Sequence, residues 1–382
     1  MRKRLLLVPD GMADDHLAEL GGKTPLQAAR TPVMDALARL GTVGLVRTIP
    51  NGMPPGSDVA NLSVLGYDAR ALYTGRSPLE AANIGVDLGA DDVAYRCNFV
   101  TIDDGVMRDN TAGHIDSATA GELIVALEDV LGGGPFEFYA GVGYRNLMVW
   151  RGGEEVACTP PHDILDRAVA GYAPRGVAAE ALVELAERAH DVLAGLRPVT
   201  DVWFWGEGRA PSLPPFRDLY GLSGAVVAAV DLVRGLGRHA GFEVLAVPGA
   251  TGGLDTDYGA KARAALDALG RHDFVFVHVE APDEAAHMGD IGAKIGAIEH
   301  VDAEVLAPLA ARADLALLVL PDHFTPVHAR THVSAPVPFV FAGCAPAAAR
   351  PAPAFDEDAA RATGLVLADG PELMRRFLAA TV

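Results

Sequence analysis

The feature that most constrains this chain is a series of short, almost unbroken apolar runs. They are "RLLLVPD" at 4–10, "GFEVLAVPG" at 241–249, "DFVFVHVEAPD" at 273–283, "ADLALLVLPDH" at 313–323 and "PVPFVFAG" at 336–343. A strand with one wet face alternates apolar and polar residues, whereas a run that is apolar at nearly every position has both faces covered. Segments of helical period lie between the runs, so the expected fold class is α/β, a mainly parallel sheet flanked by helices. Between about 91 and 195 the texture shifts to strand-like pieces "YRCNFVTID", "FEFYAGVGYRNLMVW" and "EEVAC", with helical stretches near 117–131 and 177–195. Runs of the core type then resume. A smaller α+β domain inserted at 91–195 is therefore expected, with 1–90 and 196–382 forming one discontinuous core. The Ala/Pro-rich stretch at 344–355 reads as a surface loop.

In an open parallel sheet the carboxyl ends of the strands share one edge, where ligands bind. Polar residues collect there: Asp10 after the first run, Asp283 and His287 after the third, Asp322 and His323 after the fourth, and His332 just before the fifth. Asp283 and His287 are spaced i, i+4 and share one face of a helical turn. A single Asp after a strand is usually a helix cap, but caps do not need imidazole. Carboxylates and imidazoles together suit Mn, Zn or Fe better than Ca or a lone Mg, and six such ligands exceed one tetrahedral zinc, so two ions are expected. A second stretch, "PPGSDVANLSVLGYD" at 54–68, presents Ser57 between Gly56 and Asp58 ahead of an apolar segment. Gly-Ser-Asp is an ordinary helix start. As a nucleophile, a serine hydroxyl needs activation, and no Ser-His-Asp order is present; a pair of cations would supply it, and the dipole of the following helix would favour an anion.

The formal net charge is −19 and no basic stripe offsets it, which argues against nucleic acid or an anionic membrane as partner. No stretch reaches the roughly 18 apolar residues of a membrane span, and the start "MRKRLLLVPDGMADD" is too short in its apolar part for a signal peptide. The three cysteines, Cys97, Cys158 and Cys344, lie far apart and form no CxxC pair. A cytoplasmic, reducing setting is expected. Oligomeric state has no signature in the sequence.

Six stretches carry a family resemblance: "DGMAD" at 10–14, "GGKTPLQAARTPVMDALA" at 21–38, "GMPPGSDVANLSVLGYD" at 52–68, "YTGRSPLEA" at 73–81, "VHVEAPDEAAHMGD" at 277–290 and "LPDHFTPVHARTHVSAPVPF" at 320–339. In this order they resemble the cofactor-independent phosphoglycerate mutases of the archaeal type, in the alkaline phosphatase superfamily. The resemblance implies an alkaline-phosphatase-like core, a small phosphorylated substrate, and interconversion of 3-phosphoglycerate and 2-phosphoglycerate without 2,3-bisphosphoglycerate. It implies that Ser57 is the phosphorylated nucleophile, that Asp10, Ser57, Asp322 and His323 hold one metal, and that Asp283, His287 and His332 hold the other, manganese ahead of zinc, cobalt or magnesium. It also implies that the inserted segment is a mobile cap holding the glycerate part of the substrate. Such a cap needs cationic side chains and a proton-transfer group, for which Arg96, Arg108, His114, Arg145, His162 and Asp163 are the candidates. "AGHID" places a histidine where the archaeal enzymes are expected to carry arginine. With "TPPHDI", it resembles a subgroup associated with homoserine phosphorylation. Homoserine kinase activity and simple metal-dependent phosphatase activity therefore stay open, although no GxxxxGK[ST] loop is present.

Overall fold

The computed structural model describes residues 2–343 and 349–380, so part of the expected loop at 344–355, including Cys344, lies outside the described residues. The chain divides into two compact units, Met1–Tyr73 with Leu213–Val382, and Thr74–Ser212. In chain order the strands are β1 (Lys3–Pro9), β2 (Thr42–Val46), β3 (Val93–Asp103), β4 (Val106–Asp109), β5 (Phe136–Val142), β6 (Arg145–Trp150), β7 (Asp201–Gly208), β8 (Gly224–Val227), β9 (Glu243–Val244), β10 (Phe274–Val279), β11 (Leu315–Val319), β12 (Val337–Ala342) and β13 (Val366–Leu367).

The discontinuous unit holds an eight-stranded sheet in the order β13-β2-β12-β11-β1-β10-β8-β9. β1 runs parallel to both its neighbours, β10 and β11. Every residue of β2, β8, β10, β11 and β12 is buried, as near-continuous apolar runs require. Alternate residues enter opposite layers: Leu6, Val8, Phe276 and Leu318 pack on one face, and Leu5, Leu7, Val275 and Leu317 on the other. Each such side chain contributes roughly 1.5–3 kcal/mol by leaving water. β12 alone in this sheet is antiparallel to both neighbours, β11 and β2. Val340 of β12 pairs with Val319 at the end of β11, so the residues leading into β12 arrive at the edge where β1, β10 and β11 finish. That reversal carries His332 to the same edge as the aspartates.

The run at 241–249 departs from its expected form. Only Glu243–Val244 pairs, as an edge strand, while Leu245 and Val247 pack on the core from irregular backbone ahead of Pro248 and Gly249. β2, β8 and β13 come instead from pieces too short to stand out, "TVGLV", "GAVV" and "VL".

The Thr74–Ser212 unit has a five-stranded antiparallel sheet, with β3 paired to β4, β6 and β7, and β5 paired to β6. Helices Ser117–Leu131 and Ala179–Val192 bury Ile124, Leu127, Leu182 and Leu185 in its core. The unit reaches past 91–195 at both ends because the helix Ser77–Ile84 packs Ala81 against Ala94 and Leu147, and β7 continues to Gly208. "EEVAC" makes a single bridge, Ala157 to Arg175, rather than a strand. The two ends of the unit lie side by side: Thr74 Oγ1 donates to the Arg209 carbonyl at 2.7 Å, and Gly75, at φ +134°, passes so close to the Glu207 carbonyl that a Cβ would collide with it. Among the described residues no helix is long and apolar enough to cross a membrane.

Candidate active site

Gly56, in extended backbone, occupies the cap position, and Ser57 is the first residue of the helix Ser57–Val64. The serine hydroxyl therefore does not cap the helix. Instead Ser57 Oγ lies 3.1 Å from His323 Nε2. One turn on, Asn61 Nδ2 donates to the Ser57 carbonyl at 2.9 Å and to Asp322 Oδ2 at 2.8 Å, tying the start of this helix to the loop after β11. Asp58 is held by the Tyr73 hydroxyl at 2.6 Å.

Asp322 Oδ1 accepts the backbone N–H of Gly11 at 3.2 Å and of His323 at 3.0 Å, which fixes the carboxylate. His323 Nε2 stands 3.4 Å from Asp10 Oδ1 and 3.4 Å from Asp322 Oδ2. Its tautomer follows from the opposite side of the ring. Thr325 Oγ1 donates its only proton to Asp283 Oδ1 at 2.6 Å, so at 3.1 Å from His323 Nδ1 it can only accept, leaving the lone pair on Nε2. Asp283 and His287 sit on the helix Ala281–Met288, with Asp283 Oδ2 3.1 Å from His287 Nε2. His287 Nδ1 donates to the Arg330 carbonyl at 3.0 Å, and its Nε2 lies 2.9 Å from His332 Nε2. His332 Nε2 is 3.6 Å from Asp283 Oδ1. Gly11, at φ +59°, lies against Asp283 and Thr325, and a Cβ there would strike both side chains.

The donor atoms of Asp10, Asp322 and His323 lie within 4.8 Å of one another, as do those of Asp283, His323 and His332. Asp10 is fully buried, and neither carboxylate oxygen has a hydrogen-bond partner. Burial, followed by the charges of Asp322, Asp283 and Glu280, pushes its pKa well above the usual carboxylate range. Burial would also raise Asp283, but hydrogen bonds from His287 and His332 outweigh it and hold that carboxyl well below the usual range. For His287 burial acts downward, and the Asp283 carboxylate overrides it, raising the imidazole to about 9. A buried carboxylate without a donor costs several kcal/mol, and a cation among these oxygens and imidazole nitrogens removes that cost. The residues present fit divalent transition-metal ions.

All seven residues read from the sequence as Ser57 and its metal ligands meet at this edge. Asn61, Thr325 and Gly11 were not singled out. Asn61 carries a signal in hindsight, since i+4 from Ser57 puts it on the same helix face; Thr325 carries none.

The six candidates in the Thr74–Ser212 unit scatter. Arg96, on β3, is buried; its Nε donates to Glu80 Oε2 at 2.7 Å and its guanidinium lies 5.0 Å from the Trp205 ring. His162 meets the same ring edge-on at 5.3 Å between centroids. Arg145, exposed, stacks over Tyr144 at 5.0 Å, and His114 lies 6.4 Å from that ring. Arg108 pairs with exposed Asp166 at 3.3 Å, and Asp163 faces solvent beside His162.

Fold and donor set together define the class: an α/β protein that holds a serine within a buried carboxylate–imidazole cluster suited to divalent metal ions. The profile of the family described as 2,3-bisphosphoglycerate-independent phosphoglycerate mutase matches residues 38–197. The chain is 50% identical to the probable 2,3-bisphosphoglycerate-independent phosphoglycerate mutase of Geobacter sulfurreducens, covering 98% of this chain and 99% of that one. It is 48% identical to the Methanothrix thermoacetophila protein of the same description, over 99% of this chain and all of the other. Among solved structures it resembles the PH0037 protein from Pyrococcus horikoshii, with TM-score 0.84 and 30% identity over 100% and 97% of the two chains. It also resembles the cofactor-independent phosphoglycerate mutase from Thermoplasma acidophilum, with TM-score 0.66 and 27% identity over both full lengths. The chain belongs to the 2,3-bisphosphoglycerate-independent phosphoglycerate mutase family.

Proposed function

We propose that the protein interconverts 3-phosphoglycerate and 2-phosphoglycerate, with Ser57 carrying the phosphoryl group between the two hydroxyls and no bisphosphoglycerate required. Full-length relatives near 50% identity support the reaction. The observation that carries the role of Ser57 is that its hydroxyl, free of any capping duty, points at His323 Nε2 from 3.1 Å, beside a buried carboxylate that lacks a donor.

Asp10, Ser57, Asp322 and His323 would hold one divalent ion, and Asp283, His287 and His332 the other. When bound, such a pair supplies Lewis-acid neutralisation of phosphoryl oxygens and lowers the pKa of the serine hydroxyl. The chain's own groups do the positioning. Asn61 anchors the first turn of the nucleophile helix to Asp322, so that Ser57 Oγ keeps a fixed direction. Thr325 and the Arg330 carbonyl hold His323 and His287 with Nε2 inward. The positive end of the Ser57–Val64 helix favours the phosphoryl anion. In the first half-reaction the Ser57 oxygen takes the phosphoryl group and the 3-hydroxyl of glycerate leaves with the proton; in the second the 2-hydroxyl takes the group back and Ser57 is restored.

The test is a coupled assay with 3-phosphoglycerate, Mn²⁺ and no bisphosphoglycerate, joined to mass spectrometry of protein trapped with substrate. Formation of 2-phosphoglycerate and a phosphate on Ser57 are expected. Release of inorganic phosphate in step with substrate loss, ATP-dependent phosphorylation of homoserine in its place, or a phosphate on another residue defeats the assignment.

A further inference from the structure

Lys294 lies on the helix Ile291–His300, the next in the chain after the helix that carries Asp283 and His287, and it is fully buried. An ammonium out of water is costly unless each of its three protons finds an acceptor. Here Nζ donates to Asp14 Oδ2 at 2.7 Å, to the Thr325 carbonyl at 2.9 Å and to the Ala13 carbonyl at 3.3 Å. Asp14, itself buried, would neutralise the charge alone. The other two bonds go to backbone of ligand-bearing segments: Ala13 belongs to the segment after β1 that holds Asp10, and Thr325 to the one after β11 that holds Asp322 and His323.

The same two segments meet directly. The Thr325 N–H donates to the Ala13 carbonyl at 3.2 Å, and the Val327 N–H to Asp14 Oδ2 at 3.1 Å. From Thr325 the connection continues through its hydroxyl to Asp283 at 2.6 Å. A buried ion pair that serves stability alone is often replaceable by apolar side chains of like volume without loss. Two of the three Lys294 donors serve a different end, since they join backbone from both sides of the donor cluster.

We propose that Lys294 is a positioning residue for the candidate metal pair: by holding the Ala13 and Thr325 carbonyls, its ammonium fixes the separation of Asp10 from His323 and, through the Thr325 hydroxyl, the direction of Asp283. This role requires the two ions proposed above, but no particular reaction at them.

Metal affinity and stability are read separately on the metal-free full chain, by Mn²⁺ competition against a chelating dye and by thermal melting. Asp14→Asn leaves the buried ammonium without its counter-charge but keeps both carbonyl bonds; it should melt below the parent and hold Mn²⁺ within about threefold of it. Asp14→Asn combined with Lys294→Met removes both charges together with the carbonyl bonds; it should melt above Asp14→Asn and yet bind Mn²⁺ about tenfold more weakly than the parent, or worse. A lysine that only stabilised the fold would make affinity follow the melting temperature. Affinity of the double variant within about threefold of the parent therefore overturns the proposal, as does a loss in Asp14→Asn equal to that of the double variant. A parent chain that takes up no Mn²⁺ defeats the two-ion reading itself, which keeps the two failures apart. If the double variant does not fold, Lys294→Gln, whose shorter amide donates to Asp14 while giving up the carbonyls, is held to the same thresholds.

Discussion

The carboxylates of Glu80 and Asp10, one in each unit, are satisfied in opposite ways. In Thr74–Ser212 three carboxylates meet arginines: Glu80 takes Arg96 at 2.7 Å and Arg76 at 3.1 Å, while Asp92 and Glu137 share Arg151; Glu207, which accepts the Cys158 N–H and leaves Oε2 without a hydrogen bond, is an exception. At the sheet edge of the other unit Asp10 has no donor at all, and Asp283 and Asp322 are held by imidazole, hydroxyl, amide and backbone groups. A carboxylate paired within the chain is neutralised before any ligand arrives. One left without a donor, as Asp10 is, still asks for a cation from outside. The same residue type is therefore structural where a cationic side chain meets it, as Arg96 meets Glu80 and Lys294 meets Asp14, and available for chemistry where none does, as at Asp10.

The sharpest way to break this contrast is at Ser57. Ser57→Ala should cut turnover by roughly 10⁴-fold or more while leaving melting behaviour and most metal binding intact, because it removes the nucleophile and only one ligand. Wild-type activity in that variant would put the chemistry elsewhere. Arg96→Ala should instead act on stability, costing about 3 kcal/mol in denaturant unfolding because it strips a buried partner from Glu80. Arg108→Ala, which breaks only an exposed pair, should stay within about 0.5 kcal/mol. Equal losses for the two arginines would erase the distinction between buried and solvated pairs.

Titration sharpens the comparison further. Burial raises Glu80, but Arg96 and Arg76 outweigh it and hold the carboxyl below 4.5, so its contribution is present above that pH and fades as pH falls through the lower folded value. Glu357, buried in the sheet unit, accepts from the Thr24 hydroxyl and the Asp14 N–H, and burial pushes it from 4.5 up to about 7. Between those values the unfolded chain loses its proton first, so stability should fall by about 3 kcal/mol as pH rises from 4.5 to 7. Glu357→Gln, which mimics the protonated form, should flatten that decline in melts taken across the window; an unchanged slope would assign the decline to another group. A more local effect is expected at Thr325. Thr325→Val leaves His323 Nδ1 without its acceptor and Asp283 without its donor, and should weaken metal affinity by about 10–100-fold with the fold retained. Affinity within twofold of the parent, measured by competition with a chelating dye, would show that the hydroxyl does not orient the ligand.

The two regions also differ in how much of them could be read from sequence. Strands buried on both faces announce themselves as apolar runs, and a parallel sheet sends the residues after β1, β10 and β11 to one edge, so Asp10, Asp283 and Asp322 could be placed together before any coordinates. His332 joined them through the reversal of β12, which apolarity alone does not encode. β2 and β8 escaped notice because four or five residues beside glycine carry little periodicity. In the antiparallel unit no such edge rule operates: neighbouring residues point to opposite faces, and Arg108 and Arg96 look alike in sequence although one is solvated and the other buried against Trp205. Asn61 acts through Asp322, 261 residues on, and Thr325 through Asp283, 42 residues back, which no local pattern reveals.

The clasp between Thr74 and Arg209 has a consequence for how the molecule is made. β1 pairs with β10 and β11, so Arg4 must wait for Phe274 and Leu5 for Leu317 before the central strand has either neighbour. During synthesis the first strand emerges long before its partners, and closing so wide a separation carries the entropy of a long loop. The Thr74–Ser212 unit contains all the partners of its own sheet and can fold while the remainder is still being translated. Once it does, its adjoining ends shorten the effective tether between Tyr73 and Leu213 to little more than a turn. An insert that folds first would thus act as an assembly aid for the strands that bracket it, holding the segment that carries Asp10 and Ser57 near the one that supplies the remaining strands.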